Sequence, residues 1–253
     1  MTLPVFVVDE AALAAESVEL AGNEGRHAVA VKRVRVGERI VLTDGAGQGA
    51  ECVVVSLGKH SLVADVLVRR SEPLPSPRLV VVQALVKGAA AEQAVDLLTQ
   101  VGADVIVPWA ASRSVVAWHS EHSEHSKRGE RGAKALLRWR STAREAAKQS
   151  RRLRFPLVEE LHSTPAVISV LRGSATALVL HEGAAAPIDG VHLPDSGDAV
   201  LVVGPEGGVT EDELAEFVAV GARPVRLGPS VLRSSAAGAV AAGVLFSRTN
   251  RWH

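Results

Sequence analysis

The sequence predicts an α/β protein with a mainly parallel sheet, preceded by a smaller domain composed mostly of strands. Up to residue 70, short β-branched runs follow one another, whereas beyond residue 78 such runs alternate with helical patterns. Residues 71–77 read Ser-Glu-Pro-Leu-Pro-Ser-Pro, which is the composition of a stiff linker. We therefore expect an N-terminal domain over residues 1–72, a proline-rich linker at 73–77 and a second domain over 78–253.

The N-terminal part is predicted to be a small β-barrel-like domain that carries one basic helix. Alternating or β-branched runs predict strands over Val5–Val8, Arg39–Thr43, Glu51–Leu57 and Ser61–Val68. Asp44-Gly45-Ala46-Gly47 has the composition of a hairpin turn between two of these strands. A short helix over Glu24–Val34 would carry four side chains suited to nucleic acid, namely Arg26, His27, Lys32 and Arg33. A lone histidine such as His27 is nevertheless more often structural.

In the C-terminal part, strands and helices are predicted to alternate. The expected strands are Leu79–Val86, Val105–Pro108, Thr176–His181, Ala199–Val203 and Pro224–Leu227. The expected helices are Ala89–Val101, the basic Arg131–Ser150 and Ser234–Arg248. A further helix begins after Thr210, because Thr210 and Glu213 have the spacing of a capping box.

Composition limits the class of protein. With 47% hydrophobic and 22% charged residues, the chain has the make-up of a soluble globular protein. No apolar run approaches the ~18 residues of a membrane span, and Asp9 and Glu10 interrupt any secretory signal. The single cysteine, Cys52, excludes an internal disulfide and a cysteine-rich metal site, so we expect a cytoplasmic protein without a membrane partner. The three histidines of residues 119–125 are of a metal-binding type, but their low-complexity surroundings favour a mobile segment, and no metal is expected.

Charge is segregated along a chain whose formal net charge is zero. Residues 127–154 contain eleven Lys and Arg against two acidic residues, whereas residues 182–216 contain nine acidic residues and no Lys or Arg. A second basic cluster lies between residues 26 and 39. Such segregation is typical of a protein that binds a polyanion such as RNA. The alternative is a solvated helix face in an arginine-rich protein, although two separate clusters favour RNA.

Two segments predict a ligand site at the carboxyl edge of the parallel sheet. Leu201–Gly208 and Val225–Arg233 each run from a β-branched strand into a glycine-proline turn and then towards a helix. In a parallel sheet both loops emerge at the same edge, where such sheets bind small molecules. Pro205 removes a backbone N–H and Glu206 adds a carboxylate, so a pyrophosphate would be repelled. An uncharged or cationic ligand fits better, and a plain strand–helix connection is the alternative.

The last predicted helix is rich in small residues. Residues 234–243 contain only Ser, Ala, Gly and one Val. Glycine inside a helix costs about 1 kcal/mol relative to alanine, so Gly238 and Gly243 indicate that another backbone passes close by. Close packing in a dimer and threading of the chain would each explain the pattern, and a plainly buried helix is the alternative.

Four motifs together resemble the knotted methyltransferases of the SPOUT superfamily, and among them the RsmE family, which methylates N3 of a uridine in 16S ribosomal RNA. The motifs are LVVGPEGG at Leu201–Gly208, LGPSVLR at Leu227–Arg233, the helix start at Ser234–Ala237, and EAAKQSRR at Glu145–Arg152. In the family the last motif is usually written EAxEQSxR. Lys87-Gly88, His181-Glu182 and the basic residues between 26 and 33 also fit. The resemblance extends over most of the chain, and the combination is specific.

The resemblance implies a PUA-like RNA-binding barrel, a second domain with a deep trefoil knot, a homodimer, and S-adenosylmethionine as the cofactor. It places the cofactor against three loops that contain His181, Glu182 and Gly183, then Gly204, Pro205, Glu206, Gly207 and Gly208, then Leu227, Gly228, Pro229 and Leu232. It also implies 16S ribosomal RNA in the small subunit as the partner. The matching motifs and the basic clusters together give the expected RNA contacts: Arg26, His27, Lys32, Arg33, Lys87, Arg138, Arg144, Glu145, Gln149 and Arg151.

Methylation of uracil N3 requires groups of a particular kind. Because N3 carries a proton at neutral pH, the site needs a base, or a cation that stabilises the uracil anion, and alignment of nitrogen, methyl and sulfur. We expect Glu206 to be the base, Arg152 and Arg233 to stabilise the anion, and Glu145 and Gln149 to orient the uridine. Structural alternatives exist, in which Glu206 holds its loop and Arg233 pairs with an acid or a phosphate.

Two positions depart from the family pattern. Ala89–Ala91 stand where charged residues usually begin a helix, and Ser234-Ser235 stand where a threonine–glutamate pair is common. These departures concern RNA and uridine rather than the cofactor loops. Two other functions also fit: a related knotted methyltransferase for ribose 2′-oxygens or another base in rRNA or tRNA, and a non-catalytic RNA-binding ribosome-assembly factor. A dinucleotide enzyme is disfavoured, because the GxGxxG motif is missing.

Overall fold

The computed structural model describes residues 3–116, 118 and 127–252, so the histidines of residues 119–125 lie outside the described residues. The chain divides into two compact units. The first unit contains Met1–Leu74 and Ala147–Phe155, and the second contains Pro75–Ala146 and Pro156–His253. The domain boundaries at 1–72, 73–77 and 78–253 stay a prediction, and they did not provide for residues 147–155 in the first unit.

The first unit is built on a mixed sheet. Its strands are β1 (Val5–Val7), β2 (Ser17–Leu20), β3 (Arg39–Thr43), β4 (Gln48–Leu57) and β5 (Leu62–Ser71). They lie in the order β1-β3-β4-β5-β2, with β1 parallel to β3 and the other neighbours antiparallel. The helices are α1 (Glu10–Leu13) and α2 (Gly22–Arg26), and α2 continues into a π-helical turn at His27–Val31. The core of the unit includes the fully buried Phe6, Ile40 and Leu42.

The four strands predicted for this unit are confirmed, with shifts at their ends, whereas α1 and β2 were not predicted. The turn at Asp44–Gly47 also forms between β3 and β4 as predicted. Asp44 Oδ1 accepts hydrogen bonds from the backbone N–H groups of Ala46 at 2.7 Å and Gln48 at 3.0 Å. The Asp44 side chain thereby supplies the acceptor for two N–H groups to which the turn offers no backbone acceptor.

The helix predicted at Glu24–Val34 is present but differs in form. It begins at Gly22, changes from α to π geometry at His27 and ends at Val31. Arg33, which follows it, has a φ of 55°, a left-handed conformation that is uncommon outside glycine. The basic residues of this segment therefore lie on an irregular helix rather than on one regular face.

Residues 147–155 belong to the first unit because their backbone binds the turn between β3 and β4. Thr43 Oγ1 donates to Leu153 O at 2.9 Å, and the Phe155 N–H donates to Gly45 O at 2.8 Å. The segment that carries the predicted RNA-contacting residues Gln149 and Arg151 is thus fixed to the turn between β3 and β4 by hydrogen bonds to its backbone.

The second unit alternates strands and helices. Its strands are β6 (Arg78–Ala84), β7 (Val105–Trp109), β8 (Leu157–Val158), β9 (Thr176–Leu180), β10 (Asp198–Val203) and β11 (Arg223–Val225). Its helices are α3 (Ala89–Val101), α4 (Lys127–Gln149, up to Ala146), α5 (Thr164–Arg172), α6 (Glu211–Ala219) and α7 (Ser234–Phe246), with a 3₁₀ turn at Ile188–Gly190. Of these, β8, α5 and the 3₁₀ turn were not predicted.

The sheet of the second unit is parallel and covered on both faces. The strand order is β11-β9-β10-β6-β7-β8, and every described neighbouring pair is parallel. One face packs against α3, α4 and α7, and the layer between them includes the buried Val81 of the sheet, Leu98 of α3 and Leu245 of α7. The other face packs against α5 and α6 and buries Val82 and Phe217. The predicted α/β class with a mainly parallel sheet is confirmed.

The small residues of α7 serve packing within the second unit. A Cβ on Gly238 would lie 3.0 Å from Leu98 Cδ2 and 3.2 Å from Val203 Cγ2, so α7 approaches α3 and β10 more closely than a larger residue allows. A Cβ on Gly243 would lie 3.3 Å from the Trp252 ring. These contacts explain both glycines without a dimer. The trefoil knot that the resemblance implies stays a prediction.

The C-terminal residues are fixed to the amino edge of the same sheet. Arg251 binds both carboxylate oxygens of Asp104, at 2.5 and 3.0 Å, and Asp104 is almost completely buried just before β7. Arg251 also donates to the backbone oxygens of Pro77 and Gly102, and its guanidinium lies 4.3 Å from the centre of the Phe246 ring. One side chain therefore joins the ends of α3 and α7 to the starts of β6 and β7.

Candidate functional site

A cavity of about 670 Å³ opens at the carboxyl edge of the sheet in the second unit. Three segments form most of its wall: residues 180–182 at the end of β9, 203–209 after β10 and 226–233 after β11. The first turns of α3 and α7 complete the wall with Ala90, Gln93, Ser234, Ser235 and Ala237. The volume lies within the range of small-molecule and cofactor sites in proteins.

The predicted cofactor residues line this cavity with one exception. Those at its wall are His181, Glu182, Gly204, Pro205, Glu206, Gly207, Gly208, Leu227, Gly228, Pro229 and Leu232. Gly183 is not among the lining residues. Its backbone N–H instead donates to His181 Nδ1 at 3.1 Å, which fixes the imidazole ring with Nδ1 as the acceptor. Gly183 therefore acts on the cavity through His181.

The loop Gly204–Gly208 is held by two neighbouring segments. On one side, Arg113 Nη1 donates to Gly207 O at 3.1 Å from the loop that follows β7. On the other, the backbone N–H of Lys87 donates to Glu206 Oε1 at 3.3 Å from the segment that follows β6. The loop is thus anchored to the ends of two other strands of the sheet.

Glu213 anchors the next part of the chain, at the start of α6. Its buried carboxylate accepts hydrogen bonds from the Ser112 N–H at 2.8 Å and from the N–H and Oγ1 of Thr210 at 3.0 Å each. Burial alone would raise the pKa of this carboxyl, but the hydrogen bonds from Ser112 and Thr210 outweigh burial and hold the pKa below its ordinary value. The capping box predicted at Thr210 and Glu213 is confirmed.

The loop after β11 leaves room at the wall of the cavity. A Cβ built on Gly228 would contact nothing within 4 Å, and its backbone lies outside the left-handed region. The packing of the protein therefore does not require glycine at this position. The neighbouring Val231 is 79% exposed, so this part of the wall is open to solvent. Space beside Gly228 is available to a ligand.

Two of the three predicted catalytic residues lie at the cavity. Glu206 and Arg233 both line it, and both side chains are exposed. Among the described residues, no donor binds Glu206 Oε2, and the Arg233 side chain has no hydrogen-bond partner. Arg152 belongs to the first unit, where its backbone N–H donates to Ala147 O at 3.0 Å. Its catalytic role stays a prediction.

In the first unit, four of the predicted RNA-contacting residues lie between the end of α2 and the residues just after the π-helical turn. Arg26, Lys32 and Arg33 are exposed, and their side chains form no ion pair or hydrogen bond with the described residues. His27 is half-buried, with its ring 6.2 Å from the Phe6 ring in an edge-to-face arrangement. The structure therefore offers three cations for binding, while His27 contributes to packing.

Within residues 130–154 of the basic segment, some of the cations have acidic neighbours. Arg138 lies 3.9 Å from Glu92, and Arg140 lies 2.8 Å from Glu160. The remaining predicted RNA-contacting residues, Lys87, Arg144, Glu145, Gln149 and Arg151, are exposed. Part of the charge excess is therefore neutralised within the fold, and part is presented to solvent.

Lys148 is the clearest case of a cation that is buried and paired within the protein. Its side chain is only 6% exposed, and Nζ lies 3.2 Å from Oε1 of Glu24, whose side chain is 16% exposed. Glu24 in turn accepts a hydrogen bond from the Val7 N–H at 3.4 Å. Both partners belong to the first unit, so this ion pair is structural. The ammonium group of Lys148 is therefore not presented at the surface.

Several lining residues were missed from the sequence. Arg226 directly precedes the LGPSVLR motif and Ser234 directly follows it, so a search one residue beyond the motif would have found both. Gln93, which also lines the cavity, lies one turn into α3 and carries no local signal. Arg113 does not line the cavity but binds Gly207 O, and its position between unrelated motifs gives no local signal either.

Two further features of the described residues concern metal ions and membranes. No group of three or more His, Cys, Asp and Glu side chains there is arranged to hold a metal ion. Over the same residues, no helix combines the length and the apolar character that crossing a bilayer requires. The histidines of residues 119–125 lie outside this description.

Comparisons with known proteins agree with this geometry. The family model for an RNA methyltransferase domain matches residues 72–246, and that for an RNA methyltransferase PUA domain matches residues 20–67. The chain is 43% identical to ribosomal RNA small subunit methyltransferase E of Mycobacterium bovis, over 100% of this chain and 94% of that protein. It is 28% identical to the protein of the same name from Bacillus subtilis, over 88% of this chain and 87% of the relative.

The fold is also similar to a solved structure. The crystal structure of ribosomal RNA small subunit methyltransferase E from Neisseria gonorrhoeae, bound to S-adenosyl methionine, superimposes with a TM-score of 0.82 at 27% identity. The match covers 97% of this chain and 98% of that chain. The resemblance seen in the sequence motifs and the PUA-like character of the first unit are confirmed. This chain belongs to the family of RNA methyltransferases that includes ribosomal RNA small subunit methyltransferase E.

Proposed function

We propose that this protein transfers a methyl group from S-adenosylmethionine to N3 of a uridine in the 16S RNA of the small ribosomal subunit. The observation that carries the proposal is the cavity that gathers three distant loops at one edge of a parallel sheet. The relative from Neisseria gonorrhoeae, bound to S-adenosyl methionine, supports the same cofactor here. The name of the relatives supports small-subunit ribosomal RNA as the substrate, and the N3 target follows from the RsmE resemblance.

The residues at the cavity fit this cofactor. The glycine-rich loop Gly204–Gly208 offers backbone N–H and C=O groups, and the space beside Gly228 would be filled by any Cβ. The carboxylate of Glu182 suits a positively charged sulfonium, and the guanidinium of Arg226 suits a carboxylate. When bound, the cofactor supplies a reactive methyl group on that sulfonium.

The remaining chemistry is assigned to side chains of the protein. Glu206 takes up the N3 proton through Oε2, because its other oxygen is already bound by a backbone N–H. Arg233 stabilises the negative charge that develops on the uracil oxygens, with Arg152 as a second cation for the same task. Glu145 and Gln149 are proposed to orient the uridine by hydrogen bonds. The assignments of Glu206 and Arg233 rest on residue type and on their place at the cavity, whereas those of Arg152, Glu145 and Gln149 rest on the family resemblance.

Binding of the RNA backbone is assigned mainly to the exposed cations of the first unit. Arg26, Lys32 and Arg33 are available for phosphate, as their side chains have no described partners. Arg151, also exposed, follows α4 with a left-handed φ of 61°. Each phosphate contact releases condensed counterions, so we expect the affinity for RNA to fall steeply as salt is added.

We also propose a knotted homodimer that acts in the cytoplasm, where the small subunit is found. The dimer follows from the family resemblance, and α7 supports it with an exposed Val240 beside small residues. Sedimentation equilibrium tests this part directly. A species of twice 26.5 kDa is expected, and a monomer at micromolar concentration would contradict it.

The main test is transfer of labelled methyl from S-adenosylmethionine to RNA. Small ribosomal subunits and protein-free 16S RNA, both from cells lacking this gene, serve as separate substrates. The product nucleoside is identified by mass and by chromatographic retention. 3-Methyluridine is the expected product, and the better substrate shows whether the protein acts before or after subunit assembly.

Other outcomes separate the alternatives. A ribose 2′-O-methyl nucleoside or another methylated base would favour a related knotted enzyme with a different target. Cofactor binding without transfer to either substrate would contradict the assigned RNA. Normal methylation in cells lacking the gene, together with defective subunit assembly, would favour a non-catalytic assembly factor.

A further inference from the structure

Gln83 is a polar side chain in apolar surroundings. It is the second-last residue of β6, pairs in register with Val203 and Pro108 on the two neighbouring strands, and is completely buried. Burying an amide costs free energy unless all its polar atoms are hydrogen-bonded. Methionine, with a similar volume and no amide, would avoid this cost. Packing alone therefore does not account for glutamine at this position.

The amide of Gln83 starts a chain of hydrogen bonds that ends at Gly204. Gln83 Nε2 donates to Ala84 O at 3.2 Å and to Ser234 Oγ at 3.1 Å. Ser234 Oγ donates in turn to Gly204 O at 2.5 Å. Because a carbonyl can only accept and the hydroxyl has one proton, the direction of the chain is fixed. Gln83 Oε1 has no hydrogen-bond partner among the described residues.

These hydrogen bonds connect two walls of the cavity to the sheet. Gly204 begins the loop after β10, Ser234 begins α7, and both line the cavity, whereas Gln83 does not. Pro205 has no N–H, so its peptide bond with Gly204 can be anchored only through the Gly204 carbonyl. Gly204 is also tightly packed, since a Cβ there would lie 2.9 Å from Val209 Cγ2. A small displacement of the carbonyl would therefore move the loop.

We propose that Gln83 and Ser234 are positioning residues that fix the Gly204 carbonyl, and with it the Gly204–Gly208 loop, in the conformation that binds the methyl donor. The inference rests on the proposed function, because it takes S-adenosylmethionine as the ligand of the cavity. Gln83 acts through Ser234 and Gly204. Its burial is unfavourable for the fold, so its contribution is to affinity for the ligand rather than to stability.

The test compares Gln83→Met with the unmodified protein by calorimetric titration with S-adenosylmethionine and by thermal unfolding. We expect the Kd of Gln83→Met to rise about threefold to tenfold, the effect of one neutral hydrogen bond, while Tm is unchanged or higher. Ser234→Ala should raise the Kd similarly. Ser234→Thr, which retains the hydroxyl, should recover most of the affinity lost in Ser234→Ala.

Thr99→Val is the matched control. Thr99 is a fully buried residue of α3 whose hydroxyl donates to Val95 O at 2.8 Å, and it does not line the cavity. The control should lower Tm and leave the Kd unchanged, which separates loss of stability from loss of affinity.

The possible outcomes separate a failure of this inference from a failure of the proposed function. If the unmodified protein binds S-adenosylmethionine and Gln83→Met binds it equally well, the inference is wrong and the proposed function stands. A fall in Tm for Gln83→Met without a rise in Kd would assign it an ordinary structural role and also overturn the inference. If the unmodified protein does not bind S-adenosylmethionine, the proposed function fails, and the inference fails with it.

Discussion

Substitution of Glu206 separates two roles that its position allows. One carboxylate oxygen accepts the backbone N–H of Lys87 at 3.3 Å, which holds the loop, while the side chain is exposed at the cavity and able to take up a proton. Glu206→Gln keeps an oxygen for the Lys87 N–H but cannot act as a base. Glu206→Ala removes both functions. The two variants therefore differ only in the anchoring of the loop.

The expected magnitudes follow from this geometry. Loss of a general base lowers kcat by about 10²–10⁴-fold. The hydrogen bond to Lys87 is long and solvent-accessible, so its loss costs about 0.5–1 kcal/mol, or about twofold to fivefold in affinity. We expect Glu206→Gln to reduce kcat by about 100-fold or more with an unchanged Kd for S-adenosylmethionine. Glu206→Ala should reduce kcat equally and raise the Kd by about twofold to fivefold.

The assay is single-turnover methyl transfer to 16S RNA at saturating S-adenosylmethionine, with the Kd measured separately by calorimetry. Glu216→Gln, on the exposed surface of α6, controls for the loss of one negative charge. A Glu206→Gln protein with the kcat of the unmodified enzyme would refute the assignment of the base. It would leave Glu206 with the single task of holding its loop.

Three further predictions concern the cavity wall, a buried ion pair and a buried carboxylate. Gly228→Leu should weaken binding of S-adenosylmethionine by about tenfold or more in calorimetry with little change in Tm, because the side chain enters space that a ligand would use. Lys148→Met should destabilise the protein by about 3 kcal/mol and lower Tm by roughly 6–12 °C, since the buried ion pair between Lys148 and Glu24 would be lost. Glu213→Gln should lower Tm at neutral pH, and the difference from the unmodified protein should disappear in acid. The folded-state pKa of Glu213 lies below its ordinary value, so its stabilisation is present above that value and is lost as the pH falls through the folded-state pKa.

Each of these predictions has a control or a contradicting result. Gly190→Leu, at another glycine whose Cβ would contact nothing within 4 Å and which does not line the cavity, should leave the Kd unchanged. Lys134→Met, at an exposed lysine of α4, should leave Tm nearly unchanged, and a similar Tm for the Lys148 and Lys134 variants would contradict a buried ion pair. A stability difference for Glu213→Gln that stays constant with pH would contradict the lowered pKa.

The elements of the second unit can be predicted from the sequence more completely than those of the first, and the reasons are physical. Continuous apolar runs such as Ala199–Val203 mark buried parallel strands, and Thr210 with Glu213 marks the start of α6 by a local rule. The loops that follow parallel strands lie at the same edge of the sheet. That the loops of the cavity lie close together was therefore predictable from the sequence. By contrast, β2 (Ser17–Leu20) is a short edge strand with two apolar residues, and α1 has a single turn.

Some missed features had signals and others had none. α5, which was not predicted, begins after Ser163 with Pro165 in its first turn, and this pattern marks helix starts. The burial of Lys148 depends on Glu24, 124 residues earlier in the chain, and no local pattern indicates such a pair. The opposite charge of Glu24 accommodates the buried ammonium group of Lys148.

The contacts of Arg251 decide where this protein can be cut or tagged. The matched RNA methyltransferase domain ends at residue 246, which makes that residue an attractive end point for an expressed fragment. Such a fragment would lose the guanidinium that neutralises the buried Asp104, at a cost of about 3–5 kcal/mol. An affinity tag fused directly after Trp252 would crowd the same contacts. A usable fragment therefore keeps the short extension beyond α7, including Arg251.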